Sequence, residues 1–179
     1  MEKILIQSYK SPVGELILGV FQNQLCLCDW KYRKMREAID QRIKKGLQAE
    51  MEEGNHPILD QAKKQLEEYF DGKRRDFDLP ILPVGTEFQQ RVWKALQGIS
   101  FGKTNSYLEL SQQLGDPNAI RAVASANGAN AISIIIPCHR IIGSDGALVG
   151  YAGGIEAKKK LLQLEGVRLF QNQGQTSLF

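Results

Sequence analysis

The first 30 residues contain three short apolar runs separated by turn residues, and this pattern predicts strands rather than helices. Ile4 and Ile6 fall on one face of a first strand. Two further strands are predicted over residues 16–21 and 25–30, joined by a polar turn at residues 22–24. The beginning of the chain therefore predicts a small antiparallel sheet.

Helical spacing follows the strands. Residues 35–45 predict a charged helix in which Ile39 and Ile43 lie four positions apart. A second helix is predicted to begin at Pro57, because proline suits the first helical position, and to end at Gly72. The apolar face of this second helix consists of Ile58, Ala62, Leu66, Tyr69 and Phe70.

The segments next to these helices carry weaker patterns. Residues 46–55 predict a loop. Residues 77–81 predict a last strand, placed at a sheet edge because Pro80 cannot donate a backbone hydrogen bond. Residues 1–82 are therefore interpreted as a small α/β domain, and residues 82–85 as the boundary that follows it.

The remaining chain, residues 86–170, is interpreted as a second and mainly helical domain. Thr86 and Gln89 have the spacing of a capping box at the start of its first helix. Ser106 and Glu109 repeat that spacing at the start of a second helix. The buried stripe of the first helix is predicted to consist of Phe88, Val92, Trp93 and Leu96.

A helix-turn-helix pattern begins at Ser106. Gly115 lies in the turn, Asp116 is suited to the N-cap, and Pro117 is suited to the first position of a helix that ends near Asn127. Two short helices joined in this way are typical of DNA-binding units. Such pairs are also common packing units of helical domains, so the pattern alone leaves both uses open.

The second helix of this pair consists almost entirely of small residues, with Arg121 as its one long side chain. A helix that recognises bases in the major groove carries several long polar side chains. A helix of small residues can instead approach a backbone or a narrow groove closely. Two interpretations stay open: docking in the minor groove with Arg121 projecting, or tight packing with Arg121 at the surface.

A candidate nucleophile follows an apolar run. Residues 134–136 are all isoleucine and predict a buried strand, after which Cys138, His139 and Arg140 follow. The thiolate is the reactive form of cysteine, so a basic histidine and a nearby arginine favour reactivity. The alternative is that Cys138 simply packs in the core.

Glycine-rich turns separate this cluster from a last helix. Residues 143–146 predict a turn, and residues 149–154 predict a loop whose glycines allow close approach to a ligand. A helix is predicted over residues 155–165, with the lysines at 158–160 facing solvent. Glu165 lies in its last turn, where the helix dipole disfavours an acid, so a partner such as a histidine is expected.

The charge of the chain is concentrated in its second half. The net charge is +3, with 14 basic and 14 acidic residues in 1–85 but 9 basic and 6 acidic residues in 86–179. This excess favours a polyanionic partner, although a solvated basic face gives the same count.

The cysteines and the hydropathy of the chain argue against a metal-binding, membrane or secreted protein. Cys26 and Cys28 share one face of a predicted strand and are interpreted as core residues. With only His56 and His139 as histidines, no zinc site is expected. The chain shows no membrane-length apolar run and no signal-peptide pattern, so a cytoplasmic location is expected. The polar residues 171–179 are predicted to form a flexible tail.

Several strings in the second domain resemble the O6-alkylguanine-DNA alkyltransferase family in their order and spacing. The string Ile136-Pro137-Cys138-His139-Arg140 resembles the active-site signature of that family. The supporting strings are Gly85–Gln89, Val92-Trp93, Ser106-Tyr107, Arg121–Val123, Tyr151, Gly153-Gly154 and Glu165-Gly166. The resemblance implies an α/β N-terminal domain of ribonuclease-H-like type, with a small antiparallel sheet plus helix, and a mainly α C-terminal domain with a helix-turn-helix.

The resemblance also implies a reaction. Cys138 would accept an alkyl group from O6-alkylguanine in double-stranded DNA, once per molecule, with O4-alkylthymine left open as a second substrate. His139, acting through a water and oriented by Glu165, would remove the thiol proton. Asn130 corresponds to a hinge asparagine between the recognition helix and the active-site strand. Tyr107 would help to extrude the base and donate a hydrogen bond to it.

The same resemblance assigns contacts with DNA. Arg121 would fill the space that the flipped guanine leaves, and Ser144 would contact phosphate. Ala122 and Ala126 would let the helix approach the minor groove. The residues implied for the guanine pocket are Cys138, Ile141, Tyr151 and Ala152. No cofactor, no metal and no membrane contact is implied, and the chain is expected to act as a monomer.

Two departures from the family pattern concern the pocket. Ser133 stands where some members have proline, and Ala152 where some have a serine, so a backbone amide is left to contact O6. Three other functions compete: a non-catalytic protein that binds alkylated DNA, a helix-turn-helix transcription factor and a cysteine hydrolase. The first lacks the acceptor that Cys138 provides, and the second requires a more polar recognition helix.

Overall fold

The computed structural model of the protein describes residues 1–169, and the predicted C-terminal tail lies outside them. The chain divides into two compact units. The first contains residues 1–86 and a later segment, 131–135, while the second contains residues 87–130 and the chain beyond that segment. The predicted fold class, a small α/β domain followed by a mainly α domain, is confirmed.

The first unit is built on a four-stranded sheet in the order β3-β2-β1-β4. Strands β1 (Glu2–Ser11), β2 (Gly14–Phe21) and β3 (Gln24–Trp30) pair antiparallel in sequence order. Between β2 and β3, Gln22 and Asn23 have φ values of 47° and 65°. Such left-handed pairs are typical of tight hairpins. These three strands lie where the sequence predicts them.

Strand β4 (Ala49–Glu53) pairs parallel with β1, so the loop predicted here was wrong. The sequence signal was weak because three of the five residues are glutamates, which are depleted in strands. At the edge of the sheet these glutamates are exposed while Ala49 is buried. Charged edge strands also discourage pairing with another chain.

Helices α1 (Arg36–Leu47) and α2 (Pro57–Phe70) complete the first unit. The α2 helix begins as predicted, with His56 Nδ1 accepting a 3.0 Å hydrogen bond from the backbone N–H of Ile58. The face of α2 that packs on the sheet differs slightly from the predicted face, since Ile58 and Phe70, which were assigned to it, are only half-buried. The buried residues are Leu59, Ala62, Gln65, Leu66 and Tyr69.

The strand predicted over residues 77–81 is not formed. Ile81 makes a single parallel bridge with Leu25, and Leu25 makes two 2.8 Å backbone hydrogen bonds, one with Pro80 and one with Leu82. A longer ladder is prevented where proline lacks the donor that a strand needs.

Residues 131–135, which lie far along the chain from the rest of the first unit, are held in it by hydrogen bonds to the end of β3. Backbone bonds of 2.8 and 2.7 Å join Cys28 to this segment. The Ser133 hydroxyl lies 3.4 Å from the carboxylate of Asp29. Asp29 is fully buried, and Arg33 and Arg36 also bind it, at 3.0–3.3 Å. Residues 131–135 are thus part of the packing of the first unit.

The second unit is helical. Its helices are α3 (Glu87–Leu96), α4 (Tyr107–Gln113), α5 (Ile120–Gly128) and α6 (Ile155–Leu164). Two-residue strands, β5 (Asn105–Ser106) and β6 (Ile141–Ile142), pair in parallel. Helices α3, α4 and α5 pack on one another, and Trp93 Nε1 of α3 donates a 2.8 Å bond to the carbonyl of Ala126 in α5.

The helix-turn-helix of α4 and α5 is present, with one difference at the start of α5. The capping box of Ser106 and Glu109 is formed by reciprocal bonds of 3.0 and 3.1 Å, as predicted. Helix α5 begins at Ile120 rather than directly after Asp116. The Asp116 carboxylate instead accepts a 3.0 Å bond from the N–H of Asn118, which closes a turn before the helix.

The buried strand predicted over residues 134–136 is not formed. Ile134 and Ile136 are buried, but Ile134 lies in a turn with φ of 73°, a value rare for a β-branched residue. Before the turn, Ile132 makes one isolated bridge with Cys28. The apolar run therefore predicted correctly that these residues are buried, but it did not predict the backbone conformation. Isoleucine can be packed in the core from a turn as well as from a strand.

We expect Ser106→Ala to lower the free energy of unfolding by about 1 kcal/mol, because it removes the side-chain cap of α4. Urea unfolding followed by circular dichroism measures the change. Ser100→Ala is the matched control, since Ser100 is exposed in the same unit. Equal stability of the two variants would contradict a stabilising role for the capping box.

Candidate active site around Cys138

Cys138 begins a single 3₁₀ turn, Cys138–Arg140, instead of standing at the end of a strand. Its side chain is only 3% exposed. Because a 3₁₀ turn has three residues per turn, successive side chains differ by about 120° in direction. His139 is therefore not forced to the face opposite Cys138, as it would be on a strand.

His139 is fully buried and paired with a carboxylate. Its Nε2 lies 2.7 Å from Oε2 of Glu165, so this nitrogen carries the proton and donates it in the hydrogen bond. Nδ1 is buried and has no hydrogen-bond partner among residues 1–169. In the neutral ring Nδ1 is an acceptor. The pair explains the acid at the end of α6, as the sequence predicted.

Arg140 binds the same carboxylate at two points. Its Nε donates to Oε1 of Glu165 at 2.7 Å, and its Nη2 donates to Oε2 at 3.1 Å. Its Nη1 donates to the carbonyl of Ile99 at 2.6 Å. The N–H of Gly102 reaches Oε1 at 3.4 Å, and a Cβ at Gly102 would lie 3.0 Å from the carbonyl oxygen of Glu165. Glu165 is thus a buried anion surrounded by donors.

The protonation of His139 follows from these neighbours. Burial is the largest influence and lowers the pKa of His139 below its usual value. Glu165 opposes this change, whereas the positive charges of Arg140 and Lys158 add to it. His139 is therefore neutral near pH 7 and can accept a proton at Nδ1.

Two asparagines tie the end of α5 to the chain around Cys138. Asn130, predicted as a hinge, is buried and donates through Nδ2 to the carbonyl of Ile136 at 2.9 Å. Asn127 donates to the carbonyl of Cys138 at 3.5 Å. Asn127 was not predicted from the sequence, although its position four residues after Val123 on the buried face of α5 was a usable signal.

Tyr107, at the start of α4, is buried and lies near the thiol. Its hydroxyl donates to the carbonyl of Val149 at 3.4 Å. Burial, followed by the negative charge of a Cys138 thiolate, raises the pKa of Tyr107 to about 12, against the lowering effect of Asn127. Tyr107 therefore keeps its proton at neutral pH and serves as a hydrogen-bond donor.

Lys158 is fully buried, so its predicted exposure to solvent was wrong. Its Nζ donates to the carbonyls of Val149 and Gly150 at 3.0 and 3.2 Å. Burial lowers its pKa to about 8, and the charge of Cys138 opposes this change. The missed signal is helical spacing, because positions 158, 161, 162 and 165 form one buried stripe of α6 and its C-cap.

The residues predicted to contact DNA divide into exposed and buried ones. Arg121 and Ala122 are exposed in the first turn of α5, and Ser144 is exposed in the turn after β6. Ala126 is only 3% exposed, because it lies three positions after Val123 on the face of α5 that packs on α3. The side chain of Ala126 is thus mostly covered by neighbouring residues, and its contact with DNA stays a prediction.

The residues predicted for the guanine pocket lie around the 3₁₀ turn. Ile141 is fully buried, while Tyr151 and Ala152 are half-buried in the glycine-rich loop. The ring of Tyr151 stands edge-on to His139, with 6.5 Å between the ring centroids. A separate cleft of about 300 Å³ is lined by Ser144 and by residues of β5, α4 and the turn after β6, without Cys138 or Tyr151.

The other two cysteines belong to the core. Cys26 and Cys28 are both buried, and burial raises the pKa of Cys26 to about 12 and that of Cys28 still further. Among residues 1–169, no three His, Cys, Asp or Glu side chains gather as metal ligands do. Within the same residues, every helix is too short or too polar to cross a membrane.

Both units match models of one family. Residues 4–83 match "6-O-methylguanine DNA methyltransferase, ribonuclease-like domain", and residues 87–167 match "6-O-methylguanine DNA methyltransferase, DNA binding domain". Since these two matches cover most of the chain, the protein belongs to the 6-O-methylguanine DNA methyltransferase family.

Individual relatives agree with this assignment. The chain is 45% identical over 156 residues to the methylated-DNA–protein-cysteine methyltransferase of Methanosarcina barkeri, which covers 87% of this chain and 93% of the relative. It is 40% identical over 167 residues to the constitutive enzyme of that name from Bacillus subtilis, covering 88% and 93%. A crystal structure of Mycobacterium tuberculosis OGT in complex with DNA superposes with a TM-score of 0.76 at 40% identity, covering 89% and 91%.

The lowered pKa of Lys158 predicts a pH-dependent stability. Between about pH 8 and the ordinary value of 10.5, the unfolded chain binds more protons at Lys158 than the folded chain. This residue therefore adds stability as the pH rises through that window, by at most about 1.4 kcal/mol per pH unit.

We expect the free energy of unfolding of the wild type, minus that of Lys158→Met, to increase from pH 8 to pH 9.5. Urea titrations at a series of pH values measure it. Lys159→Met is the matched control, because Lys159 is the exposed neighbour in α6. A difference that stays constant with pH would show that the Lys158 ammonium is not destabilised by burial.

Proposed function

We propose that this protein repairs O6-alkylguanine in DNA by moving the alkyl group irreversibly onto the sulfur of Cys138. The observation that carries the proposal is a buried thiol in the same turn as a His139–Glu165 pair joined at 2.7 Å. This turn lies within the residues that match the DNA-binding domain of the family. The names of the relatives agree with methyl transfer from DNA to a protein cysteine.

The proposed chemistry begins with the removal of the thiol proton. Neutral His139 accepts that proton at Nδ1, through a bridging water, while Glu165 stabilises the imidazolium that forms. The thiolate then attacks the alkyl carbon in line. The bond between sulfur and carbon forms as the bond between that carbon and guanine O6 breaks. Sulfur suits this step because it is soft and polarisable, and the thioether product resists hydrolysis.

The leaving guanine requires a proton or a hydrogen bond as negative charge develops on its ring. Tyr107 is the proposed donor, because its raised pKa of about 12 keeps the hydroxyl protonated. Asn127 and Asn130 hold the backbone carbonyls of Cys138 and Ile136, so they position the turn rather than touch the reacting atoms.

The proposed route to the base is nucleotide flipping, since a buried thiol cannot reach a guanine that stays stacked. Arg121 would enter the base stack from the first turn of α5, with the small side chain of Ala122 allowing approach in the minor groove. Ser144 would bind phosphate. Cys138, Ile141, Tyr151 and Ala152 would surround the flipped guanine, and the chain would act on DNA as a monomer.

The acceptor is tested by peptide mass spectrometry after mixing the protein with duplex DNA that carries one O6-methylguanine. We expect one added methyl group on the Cys138 peptide of the wild type and none in Cys138→Ser. Cys26→Ser is the matched control and should react fully, because Cys26 is a core thiol. Tight binding to the lesion without any added mass would point instead to a protein that only flags alkylated DNA.

The proposed insertion of Arg121 into the base stack has its own test. We expect Arg121→Ala to slow transfer from duplex DNA by about tenfold to a hundredfold, because flipping loses a few kcal/mol of support. Transfer from the free base O6-benzylguanine should change little. Single-turnover rates measure both, and Arg75→Ala, which removes an exposed arginine of the first unit, is the control. Equal losses with DNA and free base would contradict this role.

A further inference from the structure

Arg140 takes no direct part in the proposed transfer of the proton or of the alkyl group, yet it is among the most tightly held side chains of the site. It is 6% exposed and belongs to the same turn as Cys138 and His139. Its guanidinium makes bonds of 2.7 and 3.1 Å to Glu165 and one of 2.6 Å to the carbonyl of Ile99. An arginine so oriented fixes both oxygens of a carboxylate in one plane.

The carboxylate that Arg140 binds is shared with His139. Its donors include His139 Nε2, two N–H groups of Arg140 and the backbone N–H of Gly102. An ionised carboxylate is an acceptor only, so these N–H donors and the adjacent guanidinium favour the anionic form of Glu165.

A buried anion requires a buried counter-charge. With Arg140 in place, neutral His139, anionic Glu165 and cationic Arg140 sum to zero charge. Without Arg140, the cheapest counter-charge for Glu165 is a proton on His139. Lys158 does not replace Arg140, because its Nζ is bonded to the carbonyls of Val149 and Gly150.

We propose that Arg140 is a positioning residue for the transfer reaction: by balancing the charge of Glu165, it keeps His139 uncharged, with Nδ1 open to receive the Cys138 proton. This inference rests on the proposed function for its kinetic consequence. Its consequence for the charge of His139 is independent of any reaction.

The groups that act on His139 set the sign of the test. From its own turn this is the cation of Arg140, and from α6 and its end they are Lys158 and Glu165. The glycine-rich loop contributes the ring of Tyr151. Removing Arg140 leaves Glu165 with one cation fewer, so the pKa of His139 rises and the neutral base is lost at a higher pH.

The direct test is an NMR titration of the histidine rings. The chain has only two histidines, so His56→Gln assigns the signals of His139. We expect the titration midpoint of His139 to rise by about one pH unit in Arg140→Met, and to stay near that of the wild type in Arg140→Lys, which keeps a cation. An unchanged midpoint in Arg140→Met, or equal shifts in both variants, would overturn the inference.

The kinetic test is the pH dependence of the single-turnover transfer rate. In Arg140→Met the fall of the rate on the acid side of the pH profile should begin about one pH unit higher than in the wild type. Below the pH of that midpoint the variant should then be about tenfold slower than the wild type, and above it the two rates should be similar. Adding Glu165→Gln to Arg140→Met should abolish the shift, because the uncompensated carboxylate is gone. A rate that falls equally at every pH would assign Arg140 a purely structural role.

Arg74→Met is the matched control, because it also removes an arginine paired with a glutamate, Glu68, at 3.5 Å but at the surface of the first unit. Arg74→Met should change neither the midpoint of the His139 titration nor the midpoint of the pH–rate profile. If the wild type transfers no alkyl group at all, the proposed function fails while the NMR titration still decides the role of Arg140. If Arg140→Met does not fold, Arg140→Gln provides the neutral variant, and its midpoint must lie above that of Arg140→Lys.

Discussion

The candidate site depends on one buried carboxylate, that of Glu165, and on the need to satisfy its charge away from water. The carboxylate follows the C-terminal end of α6, where the helix dipole makes an anion still more costly. His139, Arg140 and the N–H of Gly102 all donate to it. The 3₁₀ turn, the end of α6 and the chain at Gly102 must therefore meet at one point, which fixes Cys138 within the same turn.

The chemistry of the site was predictable because its main residues lie in short strings. Cys138 and His139 are neighbours in sequence, and an acid in the last turn of a helix signals that Glu165 needs a partner. The partners of Arg140 and Lys158 were not predictable in this way, since each depends on carbonyls or carboxylates that folding brings from other segments. For Lys158 the helical stripe did contain the signal, which the expectation of exposed lysines overrode.

The conformation of the backbone was harder to predict from the sequence than the set of buried residues. A β-branched run predicted a strand at residues 134–136, yet Ile134 occupies a left-handed turn, and the glutamate-rich β4 pairs parallel with β1. In both segments long-range pairing overrides local propensity. Residues 131–135 belong to the first unit, bonded to Cys28 and Asp29 of β3.

We propose that the protein is consumed as it repairs DNA, because Cys138 keeps the alkyl group as a thioether. The most direct measurement is the stoichiometry of repair with an excess of duplex DNA containing O6-methylguanine, followed by chromatography of the bases. We expect a plateau at one restored guanine per protein molecule, unchanged by longer incubation. Continued release of guanine beyond that ratio would show turnover and would contradict irreversible transfer to Cys138.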